Sequence, residues 1–112
     1  MISAISFEAP YGDKGRVGAV SCTGTGECFI RAVAGHQLHA RLLYAGQPLA
    51  AACEAALADV FEQNGRGGII AIDREGNLAL PFNSHLMYRA WAGADAVLRV
   101  AVAGDDAAIV SL

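Results

Sequence analysis

The segment Val17-Gly-Ala-Val-Ser-Cys-Thr-Gly-Thr-Gly-Glu27 carries three successive local signals. Residues 17–22 are apolar and partly β-branched, which is typical of a buried strand. Residues 23–26 alternate threonine with glycine and predict a tight turn. Thr25 can cap a following helix, and Glu27 would lie in its first turn, where negative charge is favourable. The segment therefore predicts a strand, a turn and a helix in immediate succession.

Apolar residues at helical spacing continue over residues 27–45. Phe29 and Val33 are four positions apart, and so are Leu38 and Leu42, which indicates one amphipathic helix. Gly35 weakens its middle and predicts a kink or a close contact there.

A second helix is predicted from Pro48, a residue favoured at the first helical position, to the turn at residues 64–65. Its apolar residues recur at helical spacing and form one stripe: Leu49, Cys53, Ala56, Leu57 and Val60. This stripe would pack the helix on the sheet.

The rest of the chain predicts strands. Residues 67–73 and 78–82 form a hairpin, with Gly76 in its loop where positive φ is needed. Residues 69–72 are apolar on both faces, so both faces of that strand should be covered. Pro81 indicates an edge or a bulge. Residues 97–103 and 107–112 are predicted as two more strands. Residues 1–14 have a weak pattern, in which Pro10, Gly12 and Asp13 are interpreted as loop.

The predicted order β-α-α-β-β-β-β indicates an α+β fold of one domain, with two helices packed on a mainly antiparallel sheet. The double-sided apolar strand implies a second layer over the other face of that sheet. A hydrophobic fraction of 54% against 17% charged residues favours tight packing or a face meant for a partner.

Charge and cysteine content exclude several classes of protein. The net charge is −3 and the basic residues are scattered, which argues against nucleic-acid binding. No apolar run approaches the roughly 20 residues of a membrane span. The first ten residues have no basic stretch and do not predict a signal peptide. Three cysteines without a secretory signal indicate free thiols, and hence the cytoplasm.

Three groups of residues have both a functional and a structural interpretation. The turn at residues 23–26 could bind an anion or oxyanion through backbone N–H groups, but an ordinary capped turn has the same spacing. His36 and His39 share a helical face, and a packing pair is favoured over a metal site because no third ligand has suitable spacing. The cluster His85, Tyr88, Arg89 and Trp91 either lines a pocket or packs under a loop.

Three blocks resemble the plant-type L-asparaginase/isoaspartyl peptidase family. They are the S-C-T-G-T-G-E-x-F-I-R-A block at residues 21–32, the G-G-x-I-A-I-D-x-E-G-N-x-A-L-P-F-N hairpin at residues 67–83, and M-Y-R-A-W at residues 87–91. The resemblance covers the C-terminal part of the family's β-subunit. It implies an αββα sandwich of the N-terminal-nucleophile hydrolases, in which a freed threonine cleaves L-asparagine or β-aspartyl dipeptides.

The resemblance also implies site residues. Thr23 and Gly24 match the oxyanion hole, and Gly26 matches the glycine that touches the substrate's amino group. Arg16 is a candidate for carboxylate binding, although the aspartate that follows in the family is absent. No cofactor and no metal are implied. We divide the single domain, residues 1–112, into a divergent segment, 1–16, and a β-subunit-like region, 17–112.

The nucleophile is where the chain departs from the family. The family's T-V-G-A-V segment has its nearest match in Arg16-Val-Gly-Ala-Val20, with arginine in place of threonine. No catalytic residue is therefore assigned, and the chain is expected to be a hydrolase fragment that is inactive alone. Two alternatives are a non-catalytic binding or assembly module and a subunit completed by a separate α-chain. The expected partners are a small aspartyl ligand and either further copies of the chain or the missing α-subunit.

Overall fold

A computed structural model of the chain describes the backbone of residues 2–8, 16–103 and 108–110 and the side chains of residues 18–103. In chain order, the elements in these ranges are β1 Ile2–Glu8, β2 Arg16–Gly24, α1 Gly26–Arg31, α2 Ala34–Leu43, α3 Leu49–Glu62, β3 Gly67–Asp73, β4 Leu78–Ala79, β5 Arg89–Ala92, β6 Leu98–Ala101 and β7 Ala108–Val110. The predicted α+β class is confirmed.

Two antiparallel sheets organise these strands. The larger sheet has the order β1-β2-β3-β4, and the smaller one has the order β5-β6-β7. In the larger sheet the whole of β3 pairs with β2, from Gly18 opposite Asp73 to Gly24 opposite Gly67. This pairing brings the glycine-rich turn beside the start of β3.

The core lies between the helices and one face of the larger sheet. Alternate residues of β2 and β3, Val20, Cys22, Ile69 and Ala71, are buried there. The predicted stripe of α3 is buried against them, together with Ala52: Leu49, Cys53, Ala56, Leu57 and Val60. Since Ile69 is fully buried, its truncation to alanine would cost about 2–5 kcal/mol of stability.

The opposite face of the larger sheet is open within the described residues. Ile70, Ile72 and Leu78 are 46%, 42% and 39% exposed. Ile72 and Leu78 are directly paired across β3 and β4, so these side chains share one face. The structure thus shows helices packed on one face of the larger sheet. The predicted second layer over the other face is not seen among the described residues.

The first helix was predicted as one continuous element, and this prediction was wrong. The helix is divided into α1 and α2 at Val33, whose φ of 52° lies in the left-handed region. The N–H of Val33 bonds the carbonyl of Ile30 at 3.0 Å and closes a tight turn. The predicted kink at Gly35 therefore lies two residues too late, and Gly35 is buried in the first turn of α2. A β-branched residue rarely adopts this conformation, so local propensity gave no sign of the break.

The strand β1 was missed in the weak pattern of residues 1–14. It pairs with β2 from Ile2 opposite Thr23 to Glu8 opposite Arg16. Residues 9–15, including Pro10 and Gly12, lie outside the described ranges. The strand β5 was also missed. The predicted strand 97–103 is observed as Leu98–Ala101, and Ala108–Val110 is the described part of the predicted strand 107–112.

The hairpin after β3 forms as predicted, with Gly76 at φ 86° in its loop. Its second strand is only Leu78–Ala79, shorter than the predicted 78–82. Pro81 has no N–H to donate, and from there the pairing is irregular: the Ile69 N–H bonds the Pro81 carbonyl at 2.9 Å, Gly68 and Phe82 form a single bridge, and the Asn83 N–H bonds the Gly67 carbonyl at 2.9 Å. Pro81 therefore marks the irregularity that the sequence predicted.

None of the helices in the described residues has the length and apolar character needed to cross a membrane. The longest, α3, has 14 residues.

Candidate functional site

The turn after β2 is fixed to the start of β3 through Thr25. The Thr25 N–H donates to the Arg66 carbonyl at 2.9 Å, and the Thr25 hydroxyl donates to the same oxygen at 3.2 Å. The Arg66 N–H in turn donates to Thr25 Oγ1 at 3.2 Å. Thr25 is the residue before α1 as predicted, but its side chain makes no capping bond to the helix. Its hydroxyl instead joins two distant parts of the chain.

Gly24 is required by this arrangement. Its φ of 133° is a conformation that residues with a Cβ rarely adopt. A Cβ there would also overlap the Arg66 carbonyl oxygen and would lie 2.6 Å from the Gly67 Cα. The backbones of the turn and of β3 can approach this closely only because both positions are glycine.

The ladder pattern determines where the Gly24 amide points. Thr25 bonds Arg66 directly across the two strands, and the next pair in the register is Gly24 opposite Gly67. Hydrogen-bonded and non-hydrogen-bonded pairs alternate in an antiparallel ladder. Gly24 therefore occupies a non-hydrogen-bonded position, and its N–H points away from β3.

An open cavity of about 450 Å³ lies at this end of the larger sheet. It is lined by the end of β2, the start of β3 and the segment before β5: Ser21, Cys22, Thr23, Gly24, Arg66, Gly67, Gly68, Ile70, Ser84, Leu86, Met87 and Tyr88. Met87 is buried against Gly68, where an added Cβ would overlap its sulfur. The cavity thus combines the glycine-rich turn with the M-Y-R-A-W block.

Two of the four predicted site residues, Thr23 and Gly24, line this cavity. Gly26 is the first residue of α1, which has only six residues and hence little dipole of its own. Arg16 begins β2, seven positions before Thr23, which corresponds to about 23 Å along an extended strand. The side chain of Arg16 lies outside the described residues. The structure therefore brings Thr23 and Gly24 together and leaves Arg16 at the other end of β2.

The sequence allowed the polar-aromatic cluster, His85, Tyr88, Arg89 and Trp91, either to line a pocket or to pack under a loop. Its members differ in this respect. Tyr88 lines the cavity and is 78% exposed. Arg89 packs under the loop, because its guanidinium lies 4.8 Å from the centre of the Phe82 ring and donates to the Leu80 carbonyl at 3.1 Å. Sequence reasoning missed Arg66 and Ser84. Arg66 reaches the cavity through the pairing of β2 with β3, and Ser84 follows the bridge between Gly68 and Phe82.

The two histidines of α2 stack on each other with ring centres 6.2 Å apart. His39 also meets Tyr44 edge to face at 6.0 Å. Within the ranges that the structure describes, no group of three His, Cys, Asp or Glu side chains is arranged to hold a metal ion.

All three cysteines are buried free thiols, as interpreted from the sequence. Burial raises the pKa of the Cys22 thiol to about 11. Burial, followed by the neighbouring Cys22 and Glu54, raises the pKa of the Cys53 thiol to about 12. Because the thiolate is the nucleophilic form, Cys22 is not a nucleophile at neutral pH although it borders the cavity.

We expect Cys22 and Cys53 to resist alkylation by iodoacetamide at pH 8 in the folded chain and to react fully after unfolding in guanidinium chloride. The raised pKa values and the burial of both thiols slow alkylation in the folded chain. Mass spectrometry of the digested chain identifies which cysteine is labelled. Rapid labelling of Cys22 without denaturant would show that the strand is open and the assigned core is wrong.

Known proteins are similar to this chain in sequence. A family model described as Asparaginase matches residues 9–102, and the chain therefore belongs to the asparaginase family. The isoaspartyl peptidase of Escherichia coli strain K12 is 57% identical over 74 residues, which are 65% of this chain and 23% of that protein. A probable isoaspartyl peptidase/L-asparaginase 2 of Arabidopsis thaliana is 35% identical over 83 residues, 74% of this chain and 25% of that protein. The chain thus spans about a quarter of the length of these relatives.

Proposed function

We propose that this chain is the ligand-contacting part of an asparaginase/isoaspartyl peptidase, and that by itself it binds an aspartyl group without cleaving an amide. The observation that carries the proposal is the cavity at the Thr23–Gly24 turn. This turn matches the family's oxyanion hole, and the names of the relatives supply the substrate class. Backbone N–H groups of this turn would donate to the ligand's oxygen.

The absence of catalysis rests on the threonines. The chain contains two, Thr23 and Thr25. The Thr25 hydroxyl is engaged by both the N–H and the carbonyl of Arg66, and Thr23 lies within a paired strand. Neither has the free α-amine that serves as the base for an N-terminal threonine nucleophile.

A subunit completed by a separate α-chain is the second candidate. The observation that favours it is the open apolar face formed by Ile70, Ile72 and Leu78, which a second sheet could cover. Addition of a separate chain that carries the α-subunit and the missing strands, with the N-terminal threonine, would then produce asparagine hydrolysis. A purely non-catalytic assembly module would show neither this gain nor aspartate binding. The free thiols support a reducing compartment, which we propose to be the cytoplasm.

Titration of L-aspartate into the chain by calorimetry tests the proposal. Gly24→Val should weaken binding by about tenfold or more, a free-energy change of about 1.4 kcal/mol, because a Cβ displaces the turn from Arg66 and Gly67. Thr23→Val removes the hydroxyl but keeps a side chain of similar size, and it should also weaken L-aspartate binding. Gly46→Val is the matched control, since Gly46 also has positive φ but has no atom near an added Cβ and lies outside the cavity. Absence of aspartate binding by the unsubstituted chain would refute the proposal.

A further inference from the structure

Arg66 is the charged residue among those that line the cavity at the Thr23–Gly24 turn. It also lines a second cavity of about 500 Å³, together with Phe61, Asn83, Ser84 and His85. The two cavities share Arg66 and Ser84 and therefore adjoin each other. One cation thus stands at the boundary between them.

The position of Arg66 is fixed at both ends. Its backbone is held by the hydrogen bonds with Thr25. Its guanidinium carbon lies 4.4 Å from the centre of the Phe61 ring, a cation–π arrangement that holds the charge on the side of the second cavity. Two ion pairs of the described side chains join Arg41 with Asp59 and Arg99 with Asp95, and no described carboxylate is paired with Arg66. Its charge is therefore placed in advance and open to an anionic ligand.

We propose that the second cavity is a subsite for a carboxylate, with Arg66 as its binding residue. This inference rests on the proposed function, in which the first cavity holds an aspartyl group. An isoaspartyl dipeptide continues from that group through an amide to a second residue, which ends in a carboxylate. The adjoining cavity takes this second residue, and the guanidinium binds its carboxylate through paired N–H donors. His85 contributes a further donor at the same cavity.

A matched pair of ligands isolates this contact. β-Aspartyl-glycine carries the terminal carboxylate, and β-aspartyl-glycinamide lacks it. Because Arg66 is exposed to solvent, we expect the chain to bind the acid only about fivefold more tightly than the amide. This preference should decline as salt rises from 50 to 500 mM, since screening acts on the ion pair.

The protein variants complete the test by calorimetry. Arg66→Gln should remove the preference for the acid, while the backbone bonds to Thr25, which do not depend on the side chain, keep the turn in place. L-Aspartate binding is measured for each variant to show that the first cavity still forms. Arg31→Gln, at an exposed arginine outside both cavities, should keep the preference. If Arg66→Gln still prefers the acid fivefold while both proteins bind L-aspartate, the subsite is refuted and the proposed function stands. If the unsubstituted chain binds no L-aspartate, both are refuted.

Discussion

The purified chain is expected to leave L-asparagine and β-aspartyl dipeptides uncleaved. The family's reaction needs a threonine that is both nucleophile and, through its α-amine, base. Here Thr25 is held by Arg66 and Thr23 lies within β2. Loss of a nucleophile lowers the rate on the order of 10⁶-fold, so release of ammonia from L-asparagine and of free aspartate from the dipeptides should equal that of a buffer blank. A coupled ammonia assay for the first substrate and an aspartate assay for the second, at millimolar substrate, have the range to show this.

The control must address the host, because Escherichia coli itself has an isoaspartyl peptidase that is 57% identical over the matched residues. The chain should be produced in a strain without that enzyme, and the enzyme itself provides the positive control. Turnover that co-elutes with the chain and disappears in Thr23→Ala or Thr25→Ala would overturn the claim of inactivity. It would also identify the threonine that acts.

The chain is also expected to associate through the open face of its larger sheet. Ile70, Ile72 and Leu78 share this face and are each more than a third exposed. At about 25 cal/mol per Å², burial of several hundred Å² of apolar surface contributes many kcal/mol. We propose a homo-oligomer, most simply a two-fold dimer with these faces together. Light scattering at micromolar concentration should give at least twice the mass of one chain.

Substitution of the face tests this assembly. The double variant Ile70→Lys, Ile72→Lys places two like charges at the contact and should give monomers. Ile30→Lys is the matched control, because Ile30 is 69% exposed on α1 rather than on the sheet, and it should leave the mass unchanged. A strictly monomeric unsubstituted chain would show that the open face needs no partner.

Sequence reasoning succeeded where the signals are local. The apolar run of β3 and the five-residue stripe of α3 carry their own periodicity, and both elements form as predicted. The glycine in the hairpin loop was likewise visible, because positive φ at Gly76 is a local requirement. These elements depend little on distant parts of the chain.

The misses concern features decided by tertiary contact. The strand β1 has few local signals and gains its hydrogen bonds from β2. The break at Val33 opposes the propensity of its own residue and is imposed by packing on both sides, where Phe29, Ala34 and Leu38 are buried. Neither could be predicted from spacing.

In the candidate site, too, the residues with local signals were predicted and the residue placed by tertiary contact was missed. Thr23 and Gly24 were found from the glycine-rich turn and the family resemblance, and they line the cavity. Arg66 lies more than 40 residues further along the chain, as the separation of 41 from Thr25 shows. Only the register that sets Gly24 opposite Gly67 brings it to the turn. No sequence signal predicts that Arg66 lies beside the turn.

The central claim is that the cavity at the Thr23–Gly24 turn binds an aspartyl ligand. A titration of L-aspartate followed by ¹H–¹⁵N NMR tests it most directly, because glycine amides are well resolved and mark separate places in this fold. We predict saturable shifts of the Gly24, Gly67 and Gly68 amides, which line the cavity, while Gly46 and Gly76, whose turns face open space, stay unchanged. The absence of saturable shifts, or shifts largest at Gly46 and Gly76, would contradict the account.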